Sequence, residues 1–139
     1  MNFSGKCLCG AVSYEADSAP IVVAQCHCDE CRRLSGTGHT VGAMFHTKSV
    51  SLKGNLHKFT YISAKGSEVT KASCATCGSP IFGTNSHTPD HITMTLGSMD
   101  NANGLEVEVV IFERDRQHWD RLSEDIASFE TQPDWKPDS

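Results

Sequence analysis

The sequence predicts a mainly β fold built from antiparallel strands. Short segments rich in β-branched and aromatic residues recur along the chain, and several alternate polar with apolar residues, as half-buried strands do. Gly, Asn, Asp and Ser fill the gaps between these segments, which is typical of turns. The predicted strand segments are residues 11–15, 21–25, 40–45, 56–62, 92–96 and 105–112.

Helical structure is predicted only in short pieces. Residues 29–34 are expected to form one or two turns, and Gly36 is expected to end them, because glycine readily adopts the left-handed conformation that closes a helix. Residues 119–129 show a weak helical period of apolar residues. The tail, residues 131–139, contains prolines and is expected to be irregular.

Length and composition indicate one domain spanning residues 1–139, with a core over about residues 5–130. The hydrophobic fraction of 38% and the charged fraction of 21% are ordinary for a globular protein, so no disulfide staples are needed.

The formal charge of -5 argues against a nucleic-acid partner. No apolar stretch approaches the roughly 18 residues of a membrane span, and residues 1–6 lack the pattern of a signal peptide. We therefore expect a soluble cytoplasmic protein.

The seven cysteines point to bound metal. A reducing cytoplasm disfavours disulfides, and an odd number of cysteines cannot all be paired. Cys74 and Cys77 have CxxC spacing, which brings two thiolates to the roughly 3.8 Å separation of a tetrahedral zinc site. Gly78, just after this pair, is expected to turn with positive φ so that backbone amides face the sulfurs. The groups are Cys7 with Cys9, Cys26 with Cys28 and Cys31, and Cys74 with Cys77.

Seven thiolates fill one closed four-sulfur site and leave three sulfurs for a second metal ion. A zinc ion with three protein ligands keeps a fourth position for water or substrate, which distinguishes catalytic from structural sites. Spacing favours Cys26, Cys28 and Cys31 as the open site, since they lie in one short segment. Other partitions satisfy the same count, and a redox pair is the minor interpretation of CxxC.

An open zinc site suits a thiol substrate. A thiol that coordinates zinc loses its proton at neutral pH and can add to a carbonyl carbon, so the predicted reaction is formation or cleavage of a carbon–sulfur bond. Arg32 and Arg33 are candidates to offset the charge of the zinc thiolates or to bind substrate carboxylates. His27 is a candidate for proton transfer or hydrogen bonding to substrate, unless strand alternation turns it away from the metal.

The cysteine motifs follow one another in a specific order over about residues 5–135. A CxC motif is followed by CHCDECRR with Ser35 and Gly36, then by CATCGS, by a Gly-x-x-Asp at residues 97–100 and by a late Trp119. This order resembles the glutathione-dependent formaldehyde-activating enzyme family, which includes centromere protein V.

The resemblance implies a β-tent fold with two zinc ions per chain. It also implies a carbon–sulfur lyase similar to S-hydroxymethylglutathione synthase, acting on glutathione with formaldehyde or a related aldehyde. The chain departs from the family pattern at Ser73, where an aromatic residue is common, and at Val110, where a histidine is common. By motif position, the resemblance assigns Cys7, Cys9, Cys74 and Cys77 to the structural zinc and Cys26, Cys28 and Cys31 to the catalytic zinc.

Two other functions stay open on the sequence alone. One is a noncatalytic zinc module that binds another protein, with its second site closed by His27 or a carboxylate. The other is a redox sensor that uses Cys26, Cys28 and Cys31, from which an oxidant would release zinc.

Overall fold

The computed structural model describes residues 2–133 and confirms the mainly β fold with short helical turns. The strands are β1 (Phe3–Lys6), β2 (Ser13–Ala16), β3 (Val22–Cys26), β4 (Thr40–His46), β5 (Val50–Lys53), β6 (Leu56–Ile62), β7 (Glu68–Cys74), β8 (Pro80–Asn85), β9 (His91–Thr95), β10 (Val109–Ile111) and β11 (Ala127–Ser128). The helix α1 spans Asp29–Ser35, and single 3₁₀ turns lie at Thr47–Ser49, Leu96–Ser98, Ala102–Gly104 and Glu113–Asp115. Within the described range, no helix has the length and apolar character needed to cross a membrane.

The described strands form two sheets. A three-stranded sheet has the order β1-β2-β5 and is antiparallel. An eight-stranded sheet has the order β11-β10-β3-β4-β9-β8-β7-β6. Its pairs are antiparallel except at one edge, where β10 runs parallel to both β3 and β11. The prediction of antiparallel pairing is therefore confirmed for most of the fold.

The hydrophobic core joins the two sheets. Phe3 of the small sheet packs against Phe45 of the large sheet, with their ring centroids 6.1 Å apart. Both side chains are buried, and they belong to a cluster that also contains Tyr14, Cys7 and Cys74. The first and last cysteine groups thus each place one thiol in the core. Any metal bound there would tie the two sheets together.

The predicted strands agree best with the structure where sequence alternation is strong. The segment at residues 56–62 coincides with β6, whereas the segment at 105–112 is a strand only at Val109–Ile111. This strand is short because β3, its neighbour, pairs with it only from Ala24 to Cys26. The strands β1, β5, β7, β8 and β11 were not predicted from the sequence. Charged residues weaken the apolar pattern in β1, β5 and β7, and Pro80 and Gly83 weaken it in β8.

The short helix is confirmed and the second helical segment is not. Gly36 caps α1 with φ 74°, and its amide donates to the Arg32 carbonyl over 3.0 Å. Residues 119–129 form turns and β11 instead of a helix, because β10 offers its free edge and the Phe129 amide donates to the Val110 carbonyl over 2.8 Å. Residues 131–133 are irregular, as expected, and the rest of the predicted tail lies outside the described residues.

Candidate metal centres

Two loops from opposite sheets bring four thiols together. Cys7 and Cys9 follow β1, and Cys74 and Cys77 lie at the end of β7 and in the turn before β8. Their sulfur atoms all lie within 4.8 Å of one another, with 3.6 Å between Cys7 and Cys9 and 3.8 Å between Cys9 and Cys74. These separations match the roughly 3.8 Å expected of thiolates around one tetrahedral ion. We call this group the four-cysteine cluster, and it could hold a metal ion.

Backbone amides face the sulfurs of the four-cysteine cluster. The Cys74 sulfur accepts from the amides of Thr76 and Cys77 at 3.3 and 3.4 Å, and the Cys7 sulfur accepts from the Val12 amide at 3.2 Å. Gly78 has φ 79°, as predicted, and its amide donates to the Cys74 carbonyl over 3.0 Å. The turn therefore supplies hydrogen-bond donors that stabilise thiolates.

Ser79 links the two loops of the four-cysteine cluster. Its hydroxyl oxygen accepts from the Leu8 amide at 3.1 Å and lies 3.2 Å from the Cys77 sulfur, so the hydroxyl proton is free to point at the sulfur. This hydrogen bond lowers the pKa of Cys77 to about 5. No role for Ser79 was predicted from the sequence, although it is part of the CATCGS motif. Its position directly after CxxCG was the available signal.

The other three thiols form a separate group on the large sheet, the three-cysteine cluster. Cys26 ends β3, Cys28 precedes α1, and Cys31 lies in the first turn of that helix. The Cys28 sulfur caps the helix by accepting from the Cys31 amide at 3.3 Å. The three sulfur atoms lie within 4.8 Å of one another and could hold a metal ion. Within the described residues, no histidine or carboxylate oxygen joins this group as a fourth ligand.

A lysine from another strand approaches the three-cysteine cluster. The Lys71 ammonium donates to the Cys31 sulfur over 3.9 Å. Hydrogen bonds with Cys26 and Cys28 lower the pKa of Cys31, and the charge of Lys71 adds to this effect although burial opposes it. Lys71 lies in β7, which also ends at Cys74, so one strand serves both clusters. The sequence analysis missed Lys71, because nothing in its local pattern links it to residues 26–31.

The two arginines predicted near the site are paired within α1. The Arg32 guanidinium donates to the Asp29 carboxylate at 2.7 Å, and Arg33 donates to the same carboxylate at 3.0 Å. The Arg33 side chain is 69% exposed. Neither arginine lines the cleft described below. Their predicted role toward substrate stays a prediction.

His27 lies on the other face of its segment from the flanking cysteines. Its ring is 0% exposed, and its Nε2 lies 2.9 Å from the Gln25 side-chain nitrogen. Its Nδ1 lies 3.2 Å from the Asp120 carboxylate, which also contacts the Nδ1 of His39 at 2.6 Å. Burial lowers the pKa of His27. The structure groups His27 with His39 and Asp120 and not with the three-cysteine cluster, and a direct role toward substrate stays a prediction.

A cleft of about 1510 Å³ opens beside the three-cysteine cluster, and all three of its cysteines line it. Phe59 and Tyr61 of β6 also line the cleft, and their rings stack with centroids 6.4 Å apart. Burial and the nearby charge of Cys31 raise the pKa of Tyr61, so its phenol stays protonated. The cleft thus combines sulfur ligands, an ammonium group and a phenol that can donate a hydrogen bond.

The fold and the clusters define a β-tent-like domain with two cysteine groups suited to metal. The glutathione-dependent formaldehyde-activating enzyme family matches residues 2–115, and the chain belongs to this family. A crystal structure of a Rhodobacter sphaeroides protein, a structural genomics target, is similar with a TM-score of 0.58 and 21% identity. The match covers 75% of this chain and 96% of that chain, and it shows a shared fold. The search of curated proteins found no match.

The separation of the two clusters predicts unequal effects of losing one thiol from each. Cys28→Ser should lose one equivalent of bound Co²⁺ and keep a folded chain, because the three-cysteine cluster lies on one short segment. Cys74→Ser should lose one equivalent and unfold much more easily, since a structural metal site can contribute on the order of 10 kcal/mol to folding. Co²⁺ titration and thermal unfolding measure both effects. Equal loss of stability in the two variants would contradict this division.

Proposed function

We propose that this protein is a zinc-dependent carbon–sulfur lyase that joins a small thiol, such as glutathione, to formaldehyde or a related aldehyde, or cleaves such an adduct. The observation that carries the proposal is the uneven division of seven thiols into a cluster of four and a cluster of three beside a cleft. Four thiolates complete a zinc site, whereas three leave room for a substrate. The membership of the chain in the family supports the same reaction class.

Zinc fits both donor sets. Thiolates are the soft ligands that zinc prefers, and the sulfur separations of 3.6 and 3.8 Å in the four-cysteine cluster suit a tetrahedral ion. In the proposal, Cys7, Cys9, Cys74 and Cys77 hold a structural zinc, and Cys26, Cys28 and Cys31 hold a catalytic one. When bound, the catalytic zinc supplies a thiolate at neutral pH by lowering the pKa of a coordinated thiol.

The reaction is balanced without any oxidant. The sulfur of the thiol forms a bond to the carbonyl carbon, the carbon–oxygen π bond breaks, and the proton lost by the thiol is returned to the oxygen as a hydroxyl. Tyr61 is suited to donate a hydrogen bond to that oxygen as its negative charge develops, because the phenol stays protonated beside the three-cysteine cluster. In the cleavage direction the hydroxyl loses its proton, the π bond re-forms and the thiolate leaves.

Lys71 is suited to offset the negative charge of the site. Three thiolates and one Zn²⁺ carry a net charge of about -1, which would repel an incoming thiolate. The Lys71 ammonium lies 3.9 Å from the Cys31 sulfur, whereas Arg32 and Arg33 are already paired with Asp29. We therefore assign to Lys71 the role that the sequence suggested for the arginines.

The position of His27 favours the lyase over a closed protein-binding module. Such a module would need His27 or a carboxylate to complete the second site, but His27 is buried against Gln25 and Asp120. The proposed partner is a small thiol and not a nucleic acid, in keeping with the formal charge of -5. The proposed compartment is the cytoplasm, where seven thiols stay reduced.

The proposal predicts that a thiol reaches the metal in the three-cysteine cluster. Glutathione added over the millimolar range should shift the visible spectrum of the Co²⁺-substituted protein, because a fourth thiolate changes the ligand field. Cys28→Ser, which keeps the four-cysteine cluster, should show no shift. The same titration followed by formaldehyde should produce hemithioacetal faster than the uncatalysed reaction. An unchanged wild-type spectrum would exclude the open site.

Lys71→Met should weaken the response to glutathione about tenfold, or about 1.4 kcal/mol, because the ammonium that offsets the negative charge of the site is lost. The midpoint of the Co²⁺ spectral shift measures this change. Arg33→Met removes a cation from the neighbouring helix and should leave the midpoint unchanged. A larger effect at Arg33 than at Lys71 would restore the role predicted from the sequence.

Tyr61→Phe should slow the formation of hemithioacetal by about 10²-fold, the lower range for loss of a hydrogen-bond donor to a developing oxyanion. The Co²⁺ spectrum should stay as in the wild type, because the phenol is not a metal ligand in the proposal. Initial rates at saturating glutathione and formaldehyde measure the effect. An unchanged rate would remove Tyr61 from the proposed mechanism.

A further inference from the structure

His27 occupies the position between two proposed metal ligands, yet its side chain serves the opposite face of the segment. Side chains alternate along extended backbone, so Cys26 and Cys28 face the cleft while His27 turns inward. The ring is fully buried. The backbone amide of His27 donates to the Ile111 carbonyl of β10 over 3.1 Å. Contacts that fix the position of the His27 ring therefore also fix the backbone that carries Cys26 and Cys28.

Two polar groups hold the imidazole. The Gln25 amide nitrogen, a donor, lies 2.9 Å from Nε2, which makes Nε2 the acceptor and places the ring proton on Nδ1. Nδ1 lies 3.2 Å from the Asp120 carboxylate. This contact is not aligned as a hydrogen bond, so the attraction between the N–H group and the carboxylate is mainly electrostatic. Within the described residues, Nδ1 has no hydrogen-bond partner.

Asp120 is itself fixed in the segment that follows β10. Its carbonyl accepts from the Arg116 guanidinium at 2.8 Å, and its amide donates to the Gln117 carbonyl at 3.0 Å. Its carboxylate accepts from His39, just before β4, at 2.6 Å. The side chain is only 11% exposed. Asp120 therefore presents an immobilised negative charge to His27.

We infer that Asp120 is a positioning residue that acts through His27 to hold Cys26 and Cys28 in metal-binding geometry. The inference rests on the proposed function only in taking the three-cysteine cluster as a metal site. Groups that orient metal ligands typically change affinity by about 10- to 100-fold when they are removed. Asp120 neither lines the cleft nor belongs to the three-cysteine cluster, so its effect passes through the buried imidazole.

Gly38 offers a second way to move the same carboxylate. A Cβ atom at Gly38 would overlap the Asp120 carboxylate, and the backbone there is outside the left-handed region that disfavours other residues. Gly38→Ala would therefore displace Asp120 by steric overlap and leave every polar group in the chain. Asp120→Asn does the reverse, since it keeps the shape and removes the charge. Both variants are therefore expected to remove the negative charge from its position beside the His27 ring.

The test measures Co²⁺ affinity at each cluster by competition with a chelator, together with the visible spectrum and the unfolding temperature. In Asp120→Asn and in Gly38→Ala, the three-cysteine cluster should bind Co²⁺ about 10- to 100-fold more weakly, with a shifted thiolate charge-transfer band. The four-cysteine cluster should bind as in the wild type. Matched controls are Asp125→Asn, whose partner is Ser123 in the same segment, and Gly104→Ala, where a Cβ meets no atom.

Three outcomes would overturn the inference. Unchanged affinity in both variants would show that Asp120 does not position the ligands. Parallel weakening of both clusters with a fall in unfolding temperature would indicate a general loss of stability. A third equivalent of Co²⁺ in the wild type, lost in Asp120→Asn, would make His27, His39 and Asp120 a metal site of their own. Failure of glutathione to shift the wild-type spectrum would instead remove the proposed function, and the affinity result would still decide the role of Asp120.

Discussion

The closeness of sulfur atoms is the constraint on which the rest of the structure depends. Four thiols from two sheets converge within 4.8 Å, and as thiolates they repel one another while as thiols they make only weak hydrogen bonds. A bound cation changes this crowding into a stabilising interaction. Cys7 follows a strand of the small sheet and Cys74 ends a strand of the large one. A metal ion in the four-cysteine cluster would therefore help to hold the two sheets together.

The strand β7 connects the structural and the chemical parts of this arrangement. It ends at Cys74 in the four-cysteine cluster, and it carries Lys71 to within 3.9 Å of the Cys31 sulfur. A shift of this strand would alter the ligand geometry at one cluster and the electrostatic field at the other. This coupling gives a physical reason for placing two cysteine clusters in one small fold. The four-cysteine cluster thus lies at the end of the strand that places the Lys71 ammonium beside the three-cysteine cluster.

Sequence reasoning predicted the features that are local in the chain. The spacing of Cys74 and Cys77 with Gly78, the short helix after Cys28 and the grouping of Cys26 with Cys28 and Cys31 follow from neighbouring residues. The joining of the first and last cysteine groups followed from the count of thiols and from the family resemblance, and the structure brings the thiols together in both groupings. Lys71 and Asp120 could not be predicted in the same way, because their contacts arise from strand pairing and from a segment distant in sequence. The arginines show the converse case, and their predicted role toward substrate stays a prediction. Their adjacency to Cys31 suggested a shared site, whereas helix geometry pairs them with Asp29.

The place of Asp120 in the chain bears on how the open cluster is controlled. The family match ends at residue 115, so the carboxylate that faces His27 comes from a segment beyond the matched region. Val110 is fully buried in β10, whose pairing with β3 places the His27 amide against Ile111. An apolar strand on one side and a charged carboxylate on the other thus enclose His27. In this chain, the segment after residue 115 therefore supplies the carboxylate that contacts His27. His27 itself lies within the matched region, between Cys26 and Cys28 of the three-cysteine cluster.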